Sequence, residues 1–203
     1  METAAATTRV RNVRGDPYWN HNTHYHPWLL KQVTRSARTA LDIGCGDGLL
    51  AGKLAGRGLA VTGIDVDAGV LAQAPATTGA RLEEADFLEY PGTFDVVTTV
   101  ATLHHVPLRE GMSALRRLVA PGGTLAVVGL WNMTPRNDFH YAPLLPAIWA
   151  MDILHRVGGP GAQIRDPGES YAEIRSAAAE LLPGARIRRR LMWRYTLLWR
   201  RPG

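Results

Sequence analysis

The segment Leu41-Asp42-Ile43-Gly44-Cys45-Gly46-Asp47-Gly48-Leu49 decides the fold. An apolar run ends here and a helical period begins, the pattern of a strand turning into a helix. Glycine accepts positive φ and lets a ligand come close to the backbone. The spacing is Gly-x-Gly-x-Gly, and Leu49 stands where a dinucleotide fingerprint needs its third glycine. The Gly-Lys-Ser/Thr of a P-loop is absent too. Asp42 lies two residues ahead of Gly44. Its charge would repel a pyrophosphate and suits a cation or an amine.

Working outward, short apolar runs occupy Thr39–Ile43, Leu59–Ile64, Phe94–Val100 and Gly123–Leu130, with Arg81–Glu84 weaker. Helical periods separate them, which predicts βαβ units and a parallel sheet. One helix is expected from near Asp47 to Gly58, and Asp67 reads as the N-cap of the next. Pro107 opens a helix whose face is Leu108, Met112, Leu115 and Val119. Asp166, Pro167 and Glu169 read as N-cap, N1 and N3 of a later helix carrying Tyr171, Ile174, Ala178 and Leu181. Pro146–Leu154 is apolar on more than one face, so it is expected to be buried or to line a pocket. Ala185–Leu191 and Trp193–Arg200 read as two antiparallel edge strands, their arginines mostly a solvated face.

A chain of 203 residues, 46% hydrophobic and 20% charged, fits one soluble globular domain. The single cysteine, Cys45, excludes an intrachain disulfide framework. Met1-Glu2-Thr3-Ala4 shows no basic region leading into an apolar one, so a reduced cytoplasmic setting is expected. The net charge is +5, but the last 20 residues contribute +7 and the preceding 183 carry −2. The basicity is therefore a local feature of the C-terminus.

Further motifs follow the glycine turn. Asp65 ends the second strand, where an acid can take ribose hydroxyls. Then come Ala85-Asp86-Phe87, Phe94-Asp95-Val96-Val97, Leu103-His104-His105 and Ala120-Pro121-Gly122-Gly123-Thr124. In this order and spacing the chain resembles, from about Ala40 to Leu130, the class I S-adenosylmethionine (SAM)-dependent methyltransferases of the small-molecule, type 11 branch. The resemblance implies a Rossmann-like, doubly wound α/β fold. Its seven-stranded, mostly parallel sheet would have the order 3-2-1-4-5-7-6 and an antiparallel edge hairpin. It implies SAM as cofactor and S-adenosylhomocysteine as product.

It also implies roles. Gly44, Cys45 and Gly46 would lie along the cofactor, and Asp42 would hold its amine. Asp65 would bind the ribose, with Val66 near the adenine. Asp86 and Phe87 would meet the adenine edge and face, and Val100 would lie near the methionine part. Asp95 is expected to be structural. The division would be a flexible 1–16, a lid over 17–37, a SAM-binding core over 38–130, a substrate cap over 131–166, and a helix with edge hairpin over 167–203.

The acceptor site is expected at the C-terminal strand ends, under the lid and cap. Residues 18–28 hold three histidines, two tyrosines and two tryptophans. Tyr18, Trp19, His24, Trp28, Trp131, His140 and Tyr141 are the substrate-binding candidates. His105, His104 and Tyr25 are the catalytic ones, a histidine being able to accept an acceptor proton near neutral pH. Leu130-Trp131 stands where related sugar O-methyltransferases carry a carboxylate, so a His/Asp dyad would need Asp138 to fold back. His21, His24 and His26 admit metal binding, structural hydrogen bonding or pocket lining, and no catalytic metal is expected. The acceptor would be a small organic molecule, aromatic or heteroaromatic, of secondary metabolism, and the protein a monomer or homodimer without nucleic-acid or membrane partners. Two other readings are a nucleic-acid (RNA) methyltransferase tracking phosphates with the arginine-rich end, and a non-methylating protein of the same fold.

Overall fold

In a computed structural model the described residues are 16–76, 78–134, 138–155, 158–160 and 165–203. The expected 1–16 tail lies outside them apart from Asp16. Seven strands form one sheet in the order β3-β2-β1-β4-β5-β7-β6. They are β1 (Thr39–Ile43), β2 (Ala60–Asp65), β3 (Arg81–Glu84), β4 (Phe94–Val100), β5 (Val119–Gly129), β6 (Arg186–Arg190) and β7 (Arg194–Arg200). The first five run parallel, and β7 pairs antiparallel with both β5 and β6. The expected order and edge hairpin are thus observed.

Strand alternation assigns the two cores. Leu41, Ile43, Val97, Leu125 and Val127 face α4 (Leu108–Leu118) and α6 (Tyr171–Leu181), burying Met112, Leu115, Ile174 and Leu182. Ala40, Val61, Val96, Ala126 and Val128 face α1 (His26–Leu30) and α2 (Leu49–Ala55), burying Leu29, Leu50 and Leu54. A parallel sheet covered on both faces needs these near-continuous apolar strands.

Several boundaries differ from the sequence reading. β5 begins at Val119, before the expected Gly123, because Val119 already pairs with Phe94 ahead of a register irregularity. Asp67 does cap α3 (Ala68–Leu71), accepting from Gly69 and Val70 N–H. The cap of α6 is Ser170 and not Asp166. Ser170 accepts from Glu173 N–H while Glu173 answers at the Ser170 backbone, so the capping box sits four residues later. The helix α5 (Leu145–His155) is not buried as expected. Ile148 is enclosed, but Trp149, Ile153 and Leu154 are more than 60% exposed.

The hairpin arginines correct the solvated-face expectation. Arg186, Arg188 and Arg200 are exposed. Arg189 turns inward, 4.3 Å from the Tyr171 ring and 3.3 Å from Asp138 Oδ1. Arg190 donates to Thr196 Oγ1, and Arg194 to Asn22 Oδ1.

Candidate functional site

The glycine turn is a backbone structure closed against β2. Gly44 and Cys45 N–H both donate to Ile64 O, at 2.8 and 3.0 Å. Gly46 N–H donates to Asp65 Oδ2 at 2.9 Å, and Asp67 N–H to Asp65 Oδ1 at 3.0 Å. Gly44, Gly46 and Gly48 have φ of 65°, 57° and 74°. At Gly44 a Cβ would stand 2.0 Å from Thr102 Oγ1, so only glycine fits beneath that side chain. A carboxylate offers about four lone-pair positions, so Asp65 retains capacity for hydroxyl donors.

Asp42 ends up 2% exposed on β1. Its Oδ1 accepts from Thr98 Oγ1 at 2.7 Å, while Oδ2 is buried with no hydrogen-bond partner among the described residues. Burial pushes its carboxyl up to about 7, against the opposing hydrogen bond from Thr98. An orphaned buried carboxylate oxygen beside a glycine turn fits a cationic amine. Val66, directly after Asp65, is 69% exposed, an apolar surface open to a planar ring. These features fit the cofactor implied by the sequence.

Other cofactor candidates fall differently. Asp86 is exposed, its Oδ1 accepting from Leu88 N–H. The Phe87 ring is buried in the core beside Gly111, so it offers no face to an adenine. The Cys45 thiol packs against Gly63, and burial pushes its pKa up, so the side chain is packing and only its backbone belongs to the turn. Val100 O accepts from Thr102 Oγ1 at the end of β4. Asp95 is structural, its Oδ2 accepting from Arg38 and Thr39 N–H.

Beyond β4 the turn Leu103–His105 places His104 and His105 with ring centroids 4.3 Å apart. They line a cavity of about 210 Å³ with Pro107, Arg165 and Glu169. His104 Nδ1 is buried without a hydrogen-bond partner among the described residues. Burial and the neighbouring His105 and Arg194 push His104 down to about 4. Burial and Arg165 also lower His105, while Asp65 opposes the shift.

The segment 17–37, expected as a lid, is held at two points. Tyr18 donates to Asp47 Oδ1 at 2.9 Å. It lines a cavity of about 520 Å³ beside the glycine turn, with Gly48, Lys53 and Thr78. Tyr25 donates to Leu191 O at 2.7 Å, so its hydroxyl holds the hairpin and is not a free catalytic group; burial pushes it up to about 12. Trp19 is buried, stacked on His155 at 4.6 Å, and Trp28 packs on the α1–α2 core. Neither forms an open substrate wall. His24 lies edge-on to Tyr25 at 4.9 Å.

The histidines do not converge on a metal. His21 Nε2 lies 2.8 Å from Asp152 Oδ1 on α5. His26 Nδ1 lies 3.2 Å from Lys53 Nζ, and burial drives it down to about 3. Among the described residues no group of three His, Cys, Asp or Glu could hold an ion.

In the stretch expected as a cap, Asp138 does fold back, but not to a histidine. Its Oδ1 accepts from Trp131 Nε1 and meets Arg189, and its Oδ2 accepts from Thr134 N–H. Trp131 and Tyr141, both buried with rings 5.6 Å apart, belong to this structural cluster. The His140 side chain lies outside the described structure.

Thr98, Thr102, Asp47, Asn22 and Arg194 escaped the sequence reading. Only Thr98 carried a local signal, as a hydroxyl inside an apolar strand beside one bearing an acid.

The comparisons agree with this geometry. The family model described as a methyltransferase domain matches residues 41–127. An uncharacterized methyltransferase of Mycobacterium tuberculosis is 41% identical over 198 residues, spanning 92% of this chain and 99% of the relative. A ubiquinone biosynthesis O-methyltransferase of Pseudomonas paraeruginosa is 32% identical over 188 residues, spanning 81% and 78%. Among solved structures, magnesium protoporphyrin IX methyltransferase from Synechocystis, with bound S-adenosylhomocysteine, superposes with a TM-score of 0.59. It is 20% identical and covers 88% of this chain and 81% of that one. With the glycine turn, the orphaned Asp42 oxygen and the 3-2-1-4-5-7-6 sheet in place, the chain belongs to the class I SAM-dependent methyltransferases.

Proposed function

We propose that this methyltransferase acts on a small organic acceptor by in-line displacement. The observation that carries the small-acceptor reading is that the 17–37 segment bonds both to Asp47 of the glycine turn, through Tyr18, and to Leu191 of the hairpin, through Tyr25. A site bridged in this way suits a small molecule better than a polymer. Bound SAM would supply an electrophilic methyl on a sulfonium. Asp42 would hold the amine, and Gly44 and Gly46 would line the cofactor. Asp65 would take the ribose hydroxyls, with Val66 on the adenine face, Asp86 at its edge and Val100 near the methionine. Positioning does most of the catalysis in such a transfer, with reacting atoms about 3–3.5 Å apart. His105 would accept a proton from a hydroxyl or amine acceptor, and the buried His104 would remain neutral at pH 7.

The match to O-methyltransferases of ubiquinone biosynthesis favours an oxygen acceptor. The aromatic or heteroaromatic character rests on the residues of the lid, and burial of Trp19 and Trp131 reduces that support. A place in secondary metabolism rests on the resemblance to the small-molecule branch, and a cytoplasmic location on the lone reduced cysteine. Among the described residues no helix is long and apolar enough to cross a membrane. The inward turn of Arg189, Arg190 and Arg194 removes donors from any phosphate-tracking surface, which favours small molecules over RNA.

The test is incubation with SAM and small-molecule extracts, following S-adenosylhomocysteine by mass spectrometry. Product that depends on the extract and falls at least about 10-fold in His105→Ala is expected. Product made only with RNA, or none with any extract, would sink the reading.

A further inference from the structure

Arg190 and Arg194 close the β6–β7 hairpin and stand directly opposite one another in register. Like charges in that position repel, because their Cβ atoms lie about 4.5–5.5 Å apart. Both side chains are half-buried. Their partners are all neutral. Arg194 donates to Asn22 Oδ1 through Nε and Nη2, at 3.1 and 2.8 Å, and to Met192 O through Nη1 at 3.1 Å. Arg190 donates to Thr196 Oγ1 at 3.0 Å. Among the described residues neither forms a salt bridge, whereas Arg189, one residue away on the opposite face, meets Asp138. Two facing cations held partly out of water without a counter-charge are costly unless an anion joins them.

Tyr195, next to Arg194, pairs with Gly129 at the C-terminal end of β5, so the two arginines stand at the end of the sheet where an acceptor is expected. Asn22 and Tyr25 bring the lid against the hairpin, and burial lowers Arg194 to about 10. The Arg194 charge also lowers His104, whose Nδ1 is buried with no hydrogen-bond partner among the described residues. The hairpin tip is itself strained. Met192 and Trp193 have φ of 58° and 54°, a conformation non-glycine residues adopt at a cost.

We propose that the acceptor carries a carboxylate and that Arg194, with Arg190 facing it, grips that group beside His104. Arg194 has used three of its five donors, which leaves one N–H on each of Nη1 and Nη2 for the oxygens of a carboxylate. This inference rests on the methyl-transfer reading.

The experiment uses the full chain saturated with S-adenosylhomocysteine. Straight-chain carboxylates from acetate to octanoate, benzoate and phenylacetate are titrated, each against its own primary amide, with inorganic phosphate as a further arm. At least one acid is expected to bind one site about 10-fold or more tighter than its amide. Arg194→Gln should erase that preference and leave S-adenosylhomocysteine affinity within about 2-fold, with Arg194→Lys restoring part of it. If Arg194→Gln does not fold, Arg190→Gln takes its place, with a loss of about 3-fold or more expected. Acids binding no better than amides, acid affinity unchanged in the variants, or phosphate displacing every acid would overturn the carboxylate assignment. Failure of S-adenosylhomocysteine to bind would strike the methyl-transfer reading itself, whereas normal cofactor binding with indifference to acids would strike this inference alone.

Discussion

The glycine turn and the hairpin tip make the same backbone excursion with opposite residues. Gly44, Gly46 and Gly48 take positive φ freely, and the turn presents backbone to a ligand. At the tip Met192 and Trp193 take positive φ against their side chains, and the hairpin presents two arginines. On the proposed function the first region would recognise through main-chain shape and two fixed carboxylates. The second recognises through side-chain charge that a strained turn holds in register. Damage to the first should therefore read as lost cofactor binding, and damage to the second as lost stability or lost acceptor preference.

The sharpest break in that contrast is Gly44→Ala. The new Cβ meets Thr102 Oγ1 at 2.0 Å in a left-handed residue, so affinity for S-adenosylhomocysteine should fall more than about 100-fold by calorimetry. Thr102→Gly in the same chain should recover part of it, because the clash is with that side chain. On the hairpin side, Asp138→Ala should lower stability by about 3 kcal/mol in urea unfolding, because Arg189 loses its carboxylate. Cofactor affinity should not change, and a loss there would erase the division between the two regions.

A pH series sharpens the first region. Asp42 is raised to about 7 from 3.8 in the empty protein, so below that it holds a proton which binding of an amine must release. Affinity for S-adenosylhomocysteine should climb up to about 10-fold per pH unit toward pH 7 and then level, with a flat profile in Asp42→Asn. The same shift costs the empty protein stability as pH rises from 3.8 through about 7, so Asp42→Asn should raise its melting temperature at pH 8. The smallest effect belongs to Ser170→Ala, which touches neither region. Loss of the cap should cost about 1 kcal/mol and leave binding of cofactor and acids alone.

The two regions also differ in how far they could be read in advance. The sheet order, the glycine turn and the places of Asp42 and Asp65 beside it were legible because their pattern sits within a few residues of a strand end. Asp67 as a cap was legible for the same reason. The capping box at Ser170 was displaced by a competing Asp-Pro pattern four residues earlier, equally plausible without the chain's path. Phe87 was misassigned because sequence does not show which face of the sheet receives a ring, and α4 receives this one. The aromatic residues of the expected lid and cap were overread. Trp19, Trp131 and Tyr141 bury themselves in protein contacts, and Tyr25 gives its hydroxyl to Leu191. The arginines were unreadable until the register put Arg190 opposite Arg194 and sent Arg189 to the other side.

The Met192 thioether makes no hydrogen bond, yet it is fully enclosed with Trp19 of the 17–37 segment and Ile148 of α5, at the tip of the hairpin. Three chain segments distant in sequence therefore share one keystone. A void cut at this one side chain would therefore loosen the hairpin tip, the 17–37 segment and α5 together, although no hydrogen bond is lost.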